Sequence, residues 1–362
     1  MLDTASVPRR RLLAKLAGRT GPLQSDRPAA TLRAGAAAGE QAMERFDVAV
    51  VGSFMTDLVA RVPHWPRPGE SVFASEFGIF RGGKGCNQAI AAARAGARVA
   101  MLGRLGGDAY GDDFLHALAE EGIADTGIVR DADAGTGIAV PILDPSGENM
   151  IVVAPRANMR LQPEDIAAAG ETLRGARVLL LQMEVPIDAS LAAAQIVRGA
   201  SGSVIWNVAP AAMLPDAAFA LVDAIVVNEA EAAALADCDT ASLDGCARAA
   251  RVIAARGSTA IVTLGAGGVL YAAGDSVRHL PGHVVPVVDT TGAGDAFCGA
   301  LAAALARGDS LEEAIAMGNA AGALAVGGMG AARSLPNGAA IAALRRTAAA
   351  ARWETVHNGV SL

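Results

Sequence analysis

Apolar residues in this chain fall into short runs that end on glycine or a polar residue, and longer stretches of helical period separate them. Residues 46–51 (FDVAVV), followed by Gly52, read as a strand buried on both faces and ending in a turn. Segments 58–62 and 71–77 are β-like and flank the Pro-rich PHWPRPGE. Residues 87–95 read as a helix stopped by Gly96, and 98–102 as the next strand. Segments 136–143 and 149–153 flank DPSGE, a hairpin signal. From about residue 165 the alternation is regular, with strands predicted at 178–182, 203–207, 224–228, 260–264 and 269–272. Helices are predicted between and after them, at about 189–199, 230–236, 244–256, 295–307 and 311–325. This pattern predicts an α/β fold: a mainly parallel sheet covered on both faces, with two β-rich inserts standing apart from it.

Such sheets bind ligands beyond the carboxyl ends of their strands. Gly52, Glu184, Asn207, Asn228, Gly265 and the run 289–295 all follow predicted strand ends, so the polar candidates converge on one sheet edge. The run DTTGAGDAF (289–297) puts two glycines and a carboxylate at the mouth of a helix. The first N–H groups of a helix lack internal partners and sit at the positive end of its dipole, so they attract anions. A carboxylate beside such a site repels the anion that the amides attract, so it is an odd choice there unless it has a task. General-base chemistry on a hydroxyl that attacks a phosphate is one such task.

Composition narrows the classes. The chain has 362 residues, a formal charge of −7 and 52% hydrophobic residues. That acidity argues against a nucleic-acid or anionic-membrane partner. The longest uncharged stretch, 314–332, is dominated by Ala and Gly and contains Asn319, which predicts a packed helix followed by a glycine loop rather than a membrane span. Cys86, Cys238, Cys246 and Cys298 have no metal spacing, which fits reduced thiols in a cytoplasmic protein. Only two lysines occur, Lys15 and Lys84, and the second lies inside Gly82-Gly83-Lys84-Gly85. Residues 1–45 read as a disordered or dispensable extension, a short amphipathic helix near 12–16, or the product of a start upstream of Met43; 346–362 read as a C-terminal tail.

Taken together, Gly52-Ser53 with Asp57, Pro68-Gly69-Glu70, GGKGCNQ (82–88), Gln182-Met183-Glu184, Asn228-Glu229-Ala230-Glu231, Thr263-Leu264-Gly265 and DTTGAGDAF resemble the ribokinase branch of the ribokinase/PfkB sugar-kinase family. The resemblance covers about residues 46–345. It implies a ribokinase-like three-layer α/β sandwich with a small β-sheet lid from inserts at about 58–80 and 136–154, and a homodimer formed through that lid. The implied reaction is transfer of the ATP γ-phosphate to the 5-hydroxyl of D-ribose. Asp295 would be the base, and Gly292, Ala293 and Gly294 the amides of an anion hole. Met55, Asp57, Gly83, Lys84, Asn87 and Glu184 correspond to the sugar site, and a polyol needs such fixed donors and acceptors. Asn228 and Glu231 would organise Mg²⁺ through water, while Thr263, Gly265, Gly268, Gly294 and Asn319 would border the nucleotide. Asp289 and Thr291, with backbone near Ala325, Gly328, Gly330 and Ser334, would hold K⁺.

Two positions depart from the family pattern. Met55 stands where ribokinases often carry Asn, with Ser53 and Thr56 as neighbours able to compensate, and Cys86 replaces a small alanine. Glu184 also reads as a helix-capping carboxylate, and Asn228–Glu231 as a plain helix start. Other readings are a nucleoside, deoxyribose or ketose kinase, a sugar-phosphate kinase drawing on Arg81 and Arg104, or a sugar sensor without catalysis.

Overall fold

The computed structural model describes residues 45–146, 148–274, 276–347 and 352–356. The readings for residues 1–44, including Met43, lie outside the described residues. The strands, in chain order, are β1 (Phe46–Val51), β2 (Met55–Arg61), β3 (Glu76–Gly82), β4 (Val99–Gly106), β5 (Ala124–Asp131), β6 (Gly137–Leu143) and β7 (Asn149–Ala154). They continue as β8 (Ala176–Leu181), β9 (Ser203–Asn207), β10 (Ala224–Asn228), β11 (Thr259–Thr263), β12 (Val269–Ala273), β13 (Ser276–Leu280) and β14 (Glu354–Thr355).

Among the described residues, ten strands form one sheet in the order β14-β13-β12-β11-β10-β9-β8-β1-β4-β5. From β5 to β11 every pairing is parallel, and β12, β13 and β14 continue the sheet antiparallel. Central strands are aliphatic on both faces because helices cover both. Thus β8 (ARVLLL) buries every side chain from Val178 to Leu181. One face packs on the helices Lys84–Arg94, Ala293–Arg307 and Leu311–Ala325, the other on Ile187–Gly199 and Leu243–Ala254. Each aliphatic side chain buried this way contributes about 1.5–3 kcal/mol.

A second sheet, ordered β3-β2-β6-β7, is the lid. It grows directly from the main sheet, since only residues 52–54 separate β1 from β2. Its outer strand β7 exposes every residue, with Met150, Ile151, Val152 and Val153 among the exposed apolar side chains.

Most expected elements lie within a few residues of their sequence expectation, with three differences. The strand expected at 71–77 is β3, at 76–82, because its ladder with β2 runs from Arg61↔Glu76 to Met55↔Gly82 and leaves Phe73 94% exposed. The first helix begins at Lys84 rather than at residue 87. Between residues 103 and 135, where no element was expected, lie the end of β4, a helix at Ala109–Glu120 and β5. Asp108 caps that helix by accepting from the Gly111 N–H.

Candidate active site

The helix Ala293–Arg307 opens at the carboxyl edge of the main sheet. Its N-cap is Gly292 at φ 82°, a left-handed conformation that glycine adopts without strain, and a β-carbon there would sit 2.9 Å from the Ala331 Cα. No hydrogen bond from the described residues engages the N–H of Gly294 or Asp295, and a β-carbon on Gly294 would meet nothing within 4 Å. Two amides at the positive end of a helix thus have no partner among the described residues, and space is open beside Gly294.

Asp295 is the third residue of this helix and is 7% exposed. Its Oδ2 accepts from Asn87 Nδ2 at 2.9 Å and its Oδ1 from Gln88 Nε2 at 3.1 Å. Burial pushes its carboxyl above the usual range, while the Lys84 charge and these two amide donors pull it back.

Both donors belong to the helix Lys84–Arg94, which starts after Gly83 at φ 89°. A β-carbon on Gly83 would fall 2.7 Å from the Met55 backbone nitrogen, so glycine lets this turn close on β2. Glu184, three residues beyond β8, accepts from the Lys84 N–H at 2.9 Å and from Ser53 Oγ at 2.5 Å. It therefore caps this helix, as its second sequence reading expects, and no described residue donates to its Oε1. The Lys84 ammonium makes no hydrogen bond or ion pair with any described residue, although three carboxylates surround it. Burial opposes its charge, but Asp295, Glu184 and Glu231 outweigh that and hold its pKa above the usual lysine value.

Met55 and Asp57 share one face of β2, with Thr56 on the other. Gly82 leaves the space Asp57 occupies, since a β-carbon there would lie 2.5 Å from Asp57 Oδ2. Burial, then repulsion from Glu184, raises the Asp57 pKa to about 7. Met55 is 5% exposed. Neither neighbour replaces the polar group Met55 lacks. Ser53 is fully buried and engaged by Glu184 and the Gly85 N–H, and Thr56 is buried on the opposite face.

Asn228 and Glu231 open the helix Glu229–Ala236 as a reciprocal capping box, with Glu231 Oε2 accepting from the Asn228 N–H at 2.9 Å and Asn228 Oδ1 from the Glu231 N–H at 2.8 Å. Glu231 is nevertheless held at a raised pKa, by burial first, and it interacts with both Lys84 and Asp295. Its Oε1 accepts no hydrogen bond from the described residues, leaving one oxygen for a water of a hydrated cation. Thr263 lies beside Asn228 in the β10–β11 ladder. Gly265 opens the turn that leads into β12, and Gly268 at φ 94° closes it against the Leu280 carbonyl, 2.2 Å from where its β-carbon would be. Asn319 Nδ2 donates to the Pro281 carbonyl at 3.0 Å, so Gly268 and Asn319 border the same 280–281 backbone.

Asp289 joins two segments behind the helix mouth. Its Oδ1 accepts from the Thr291 N–H and Oγ1 at 2.9 and 2.6 Å, and its Oδ2 from the Gly330 N–H at 2.9 Å. The N–H groups of Val288 and Asp289 donate to the Val326 carbonyl. Gly328 lies against Ser334, whose Cβ would be 3.0 Å from a β-carbon on Gly328, and its N–H reaches the Ala325 carbonyl. The loop and the 325–334 turn are therefore tied together through the Asp289 carboxylate and the Val326 carbonyl.

The two arginines weighed for a sugar phosphate are engaged elsewhere. Arg81 forms a bidentate pair with Asp113 at 2.6–2.7 Å, and Arg104 pairs with Asp131 at 2.7 Å and Asp165 at 2.8 Å. Residues given no role by sequence reasoning complete the site, namely Gln88, Gln182 and Asn207, all buried. Cys86 and Cys298 lie fully buried next to it, and burial pushes the Cys86 thiol up to about 12, so it packs as a neutral group.

Comparison with known proteins places the chain in a family. The family model described as "pfkB family carbohydrate kinase" matches residues 45–338. "Ribokinase" of Haemophilus influenzae is 38% identical over 293 residues, covering 81% of this chain and 96% of that protein. "Deoxyribokinase" of Salmonella typhi is 34% identical, covering 80% and 96%. Among solved structures, Arabidopsis thaliana ribokinase complexed with ribose and ATP superposes with a TM-score of 0.77 at 30% identity, covering 83% of this chain and 99% of the other. With a family model matching residues 45–338 and relatives of 34–38% identity over four-fifths of its length, the chain belongs to the pfkB family of carbohydrate kinases.

Proposed function

We propose that this kinase transfers the γ-phosphate of ATP to the 5-hydroxyl of D-ribose. One observation carries the reading: a buried carboxylate, Asp295, at a helix mouth with two unpaired amides, interacts with the Lys84 ammonium, which pairs with no described residue. The hydroxyl oxygen attacks phosphorus as its proton passes to Asp295, and the bond to the β-phosphate oxygen breaks, releasing ADP. The Gly294 and Asp295 N–H groups, with Gly292 and Ala293 shaping the turn, stabilise charge on the transferred phosphoryl group, and Lys84 adds a point charge. Asp57, Asn87, the Gly83 backbone and the free oxygen of Glu184 orient the sugar. Asn228 and Glu231 would hold a hydrated Mg²⁺, which when bound neutralises phosphate charge. The Asp289 loop with the 325–334 turn would hold K⁺ and stiffen the helix mouth. Thr263, Gly265, Gly268 and Asn319 would border the nucleotide.

A second reading, 2-deoxyribose as the sugar, is favoured by Met55. A thioether in the sugar site is a weak partner for a hydroxyl and costs a substrate lacking that hydroxyl nothing. The ion-paired Arg81 and Arg104 weigh against a sugar phosphate. We also propose that the exposed apolar strand β7 meets a second copy of the lid, because a contiguous apolar edge strand is rarely left open to water.

Phosphate transfer from ATP to ribose, 2-deoxyribose, fructose and adenosine tests the substrate. The highest kcat/KM should fall on one of the two pentoses. A lead for fructose or adenosine would overturn the pentose assignment, and sugar binding without any transfer would favour a sensor.

A further inference from the structure

Behind Asp295 runs a chain of buried amides that reaches the helix mouth only through the Asp295 carboxylate. Gln88 Nε2 donates to Asp295 Oδ1 at 3.1 Å and also to Asn207 Oδ1 at 3.0 Å. Gln88 Oε1 accepts from Gln182 Nε2 at 2.8 Å, and Asn207 Nδ2 donates to the Val226 carbonyl at 3.0 Å. Gln182 follows β8, Asn207 ends β9 and Val226 lies in β10, so three neighbouring strands anchor one side chain of the helix Lys84–Arg94.

The orientation of this chain is forced from one end. A backbone carbonyl only accepts, so Asn207 must turn its nitrogen to Val226 and its oxygen to Gln88. Gln88 must then turn its nitrogen toward Asn207, and the same nitrogen faces Asp295. Its oxygen is left for Gln182, whose nitrogen has to meet it. Gln182 Oε1 is stranded as a consequence: it is buried without a partner, and a β-carbon on Gly52 would lie 2.0 Å from it. A polar atom left unpaired in a buried place calls for an explanation. Here the explanation is that flipping Gln182 to improve its own position would set two oxygens against each other at Gln88.

We infer that Asn207 and Gln182 are positioning residues for the base: they fix Gln88 so that it presents N–H, never C=O, to Asp295. The effect is to hold the carboxylate charged and aimed despite burial. This rests on the reading of Asp295 as the base. The charged and titratable groups facing Asp295 are Lys84 and Cys86 on the first helix, Glu184 after β8, Glu231 on its own helix and Cys298 one turn along. None of them is altered in the variants below.

The test uses Asn207→Leu and Gln182→Met in the full chain, with Asn207→Ser as a milder variant whose hydroxyl can still accept from Gln88. With the relay broken, Gln88 is free to turn its oxygen to Asp295, which disfavours the carboxylate. The acid limb of the kcat/KM–pH profile should then move to higher pH, and kcat at neutral pH should fall about 10- to 100-fold. KM for sugar and ATP should stay within about threefold, and Asn207→Ser should lie between the parent and Asn207→Leu. An unmoved acid limb, or a loss confined to KM, would overturn the relay. Asp295→Asn separates the two ideas, because near-parental turnover there would remove the base itself, whereas its inactivity beside unshifted relay variants removes only the positioning role.

Discussion

Asn87 Nδ2 and Asp295 Oδ2 meet at 2.9 Å although 208 positions separate them in the chain. The bond joins the first turns of two helices, so on the proposed function it links the sugar side of the site to the phosphoryl side. Asp295→Asn keeps the shape of that contact and removes the charge. Turnover should fall about 10²- to 10⁴-fold with nucleotide affinity retained, measured by steady-state kinetics and by calorimetric titration of ATP.

The same helix crossing offers a remote test. A β-carbon on Gly299 would stand 2.4 Å from the Ala91 Cβ and 2.7 Å from the Gln88 carbonyl. Gly299→Ala should force the helices apart, costing about 1–3 kcal/mol of stability. Because Asn87 and Gln88 ride on one helix and Asp295 on the other, kcat should fall too. Urea unfolding and kinetics on one preparation check both effects.

Asp57, with a pKa raised to about 7, gives a pH-dependent signature. Its carboxyl is neutral in the folded protein up to about pH 7 but ionises near 3.8 when unfolded. The fold therefore binds the extra proton, and this group lowers stability progressively as pH rises from about 4 to about 7. Asp57→Asn should melt higher than the parent at pH 8, with the gap closing toward pH 4. Sugar affinity should be lost in the same variant at every pH. Thermal melts across pH and sugar titrations provide the check.

Met55→Asn returns a hydrogen-bonding side chain to the face of β2 that carries Asp57. One added hydrogen bond is worth about 0.5–1.5 kcal/mol, so the ribose to 2-deoxyribose ratio of kcat/KM should rise by up to about tenfold. A ratio that does not change would detach Met55 from sugar choice.

For the lid, Val152→Lys places a charge on the fully exposed strand β7. Light scattering should show a dimer for the parent and a monomer for the variant.

How much of this was legible beforehand depended on the kind of signal. The strands at Ser203–Asn207 and Ala224–Asn228 and the helix Leu311–Ala325 stand where hydrophobic runs and caps put them, because burial on both faces leaves an unambiguous apolar run. The helix Ala109–Glu120 was missed although it buries Phe114, Ala117 and Leu118 at helical spacing, since its opening glycines and aspartates read as loop. In the site, local motifs located Lys84, Asn228 and Asp295. Gln88, Gln182 and Asn207 were each named, in two motifs and at a strand end, but their linkage was not legible, because they come from separate elements that no spacing connects. Sequence also could not tell that Arg81 and Arg104 have acidic partners, which lie 32, 27 and 61 residues away.

The isolation of Lys84 has a practical consequence. It is the one lysine among the described residues, and the chain's other lysine is Lys15. Amine-directed reagents therefore find a single ε-amino group in the described fold, and it stands inside the cleft. Peptide mapping separates its labelling from that of Lys15, so sugar or nucleotide should protect the Lys84 peptide while Lys15 labels as before.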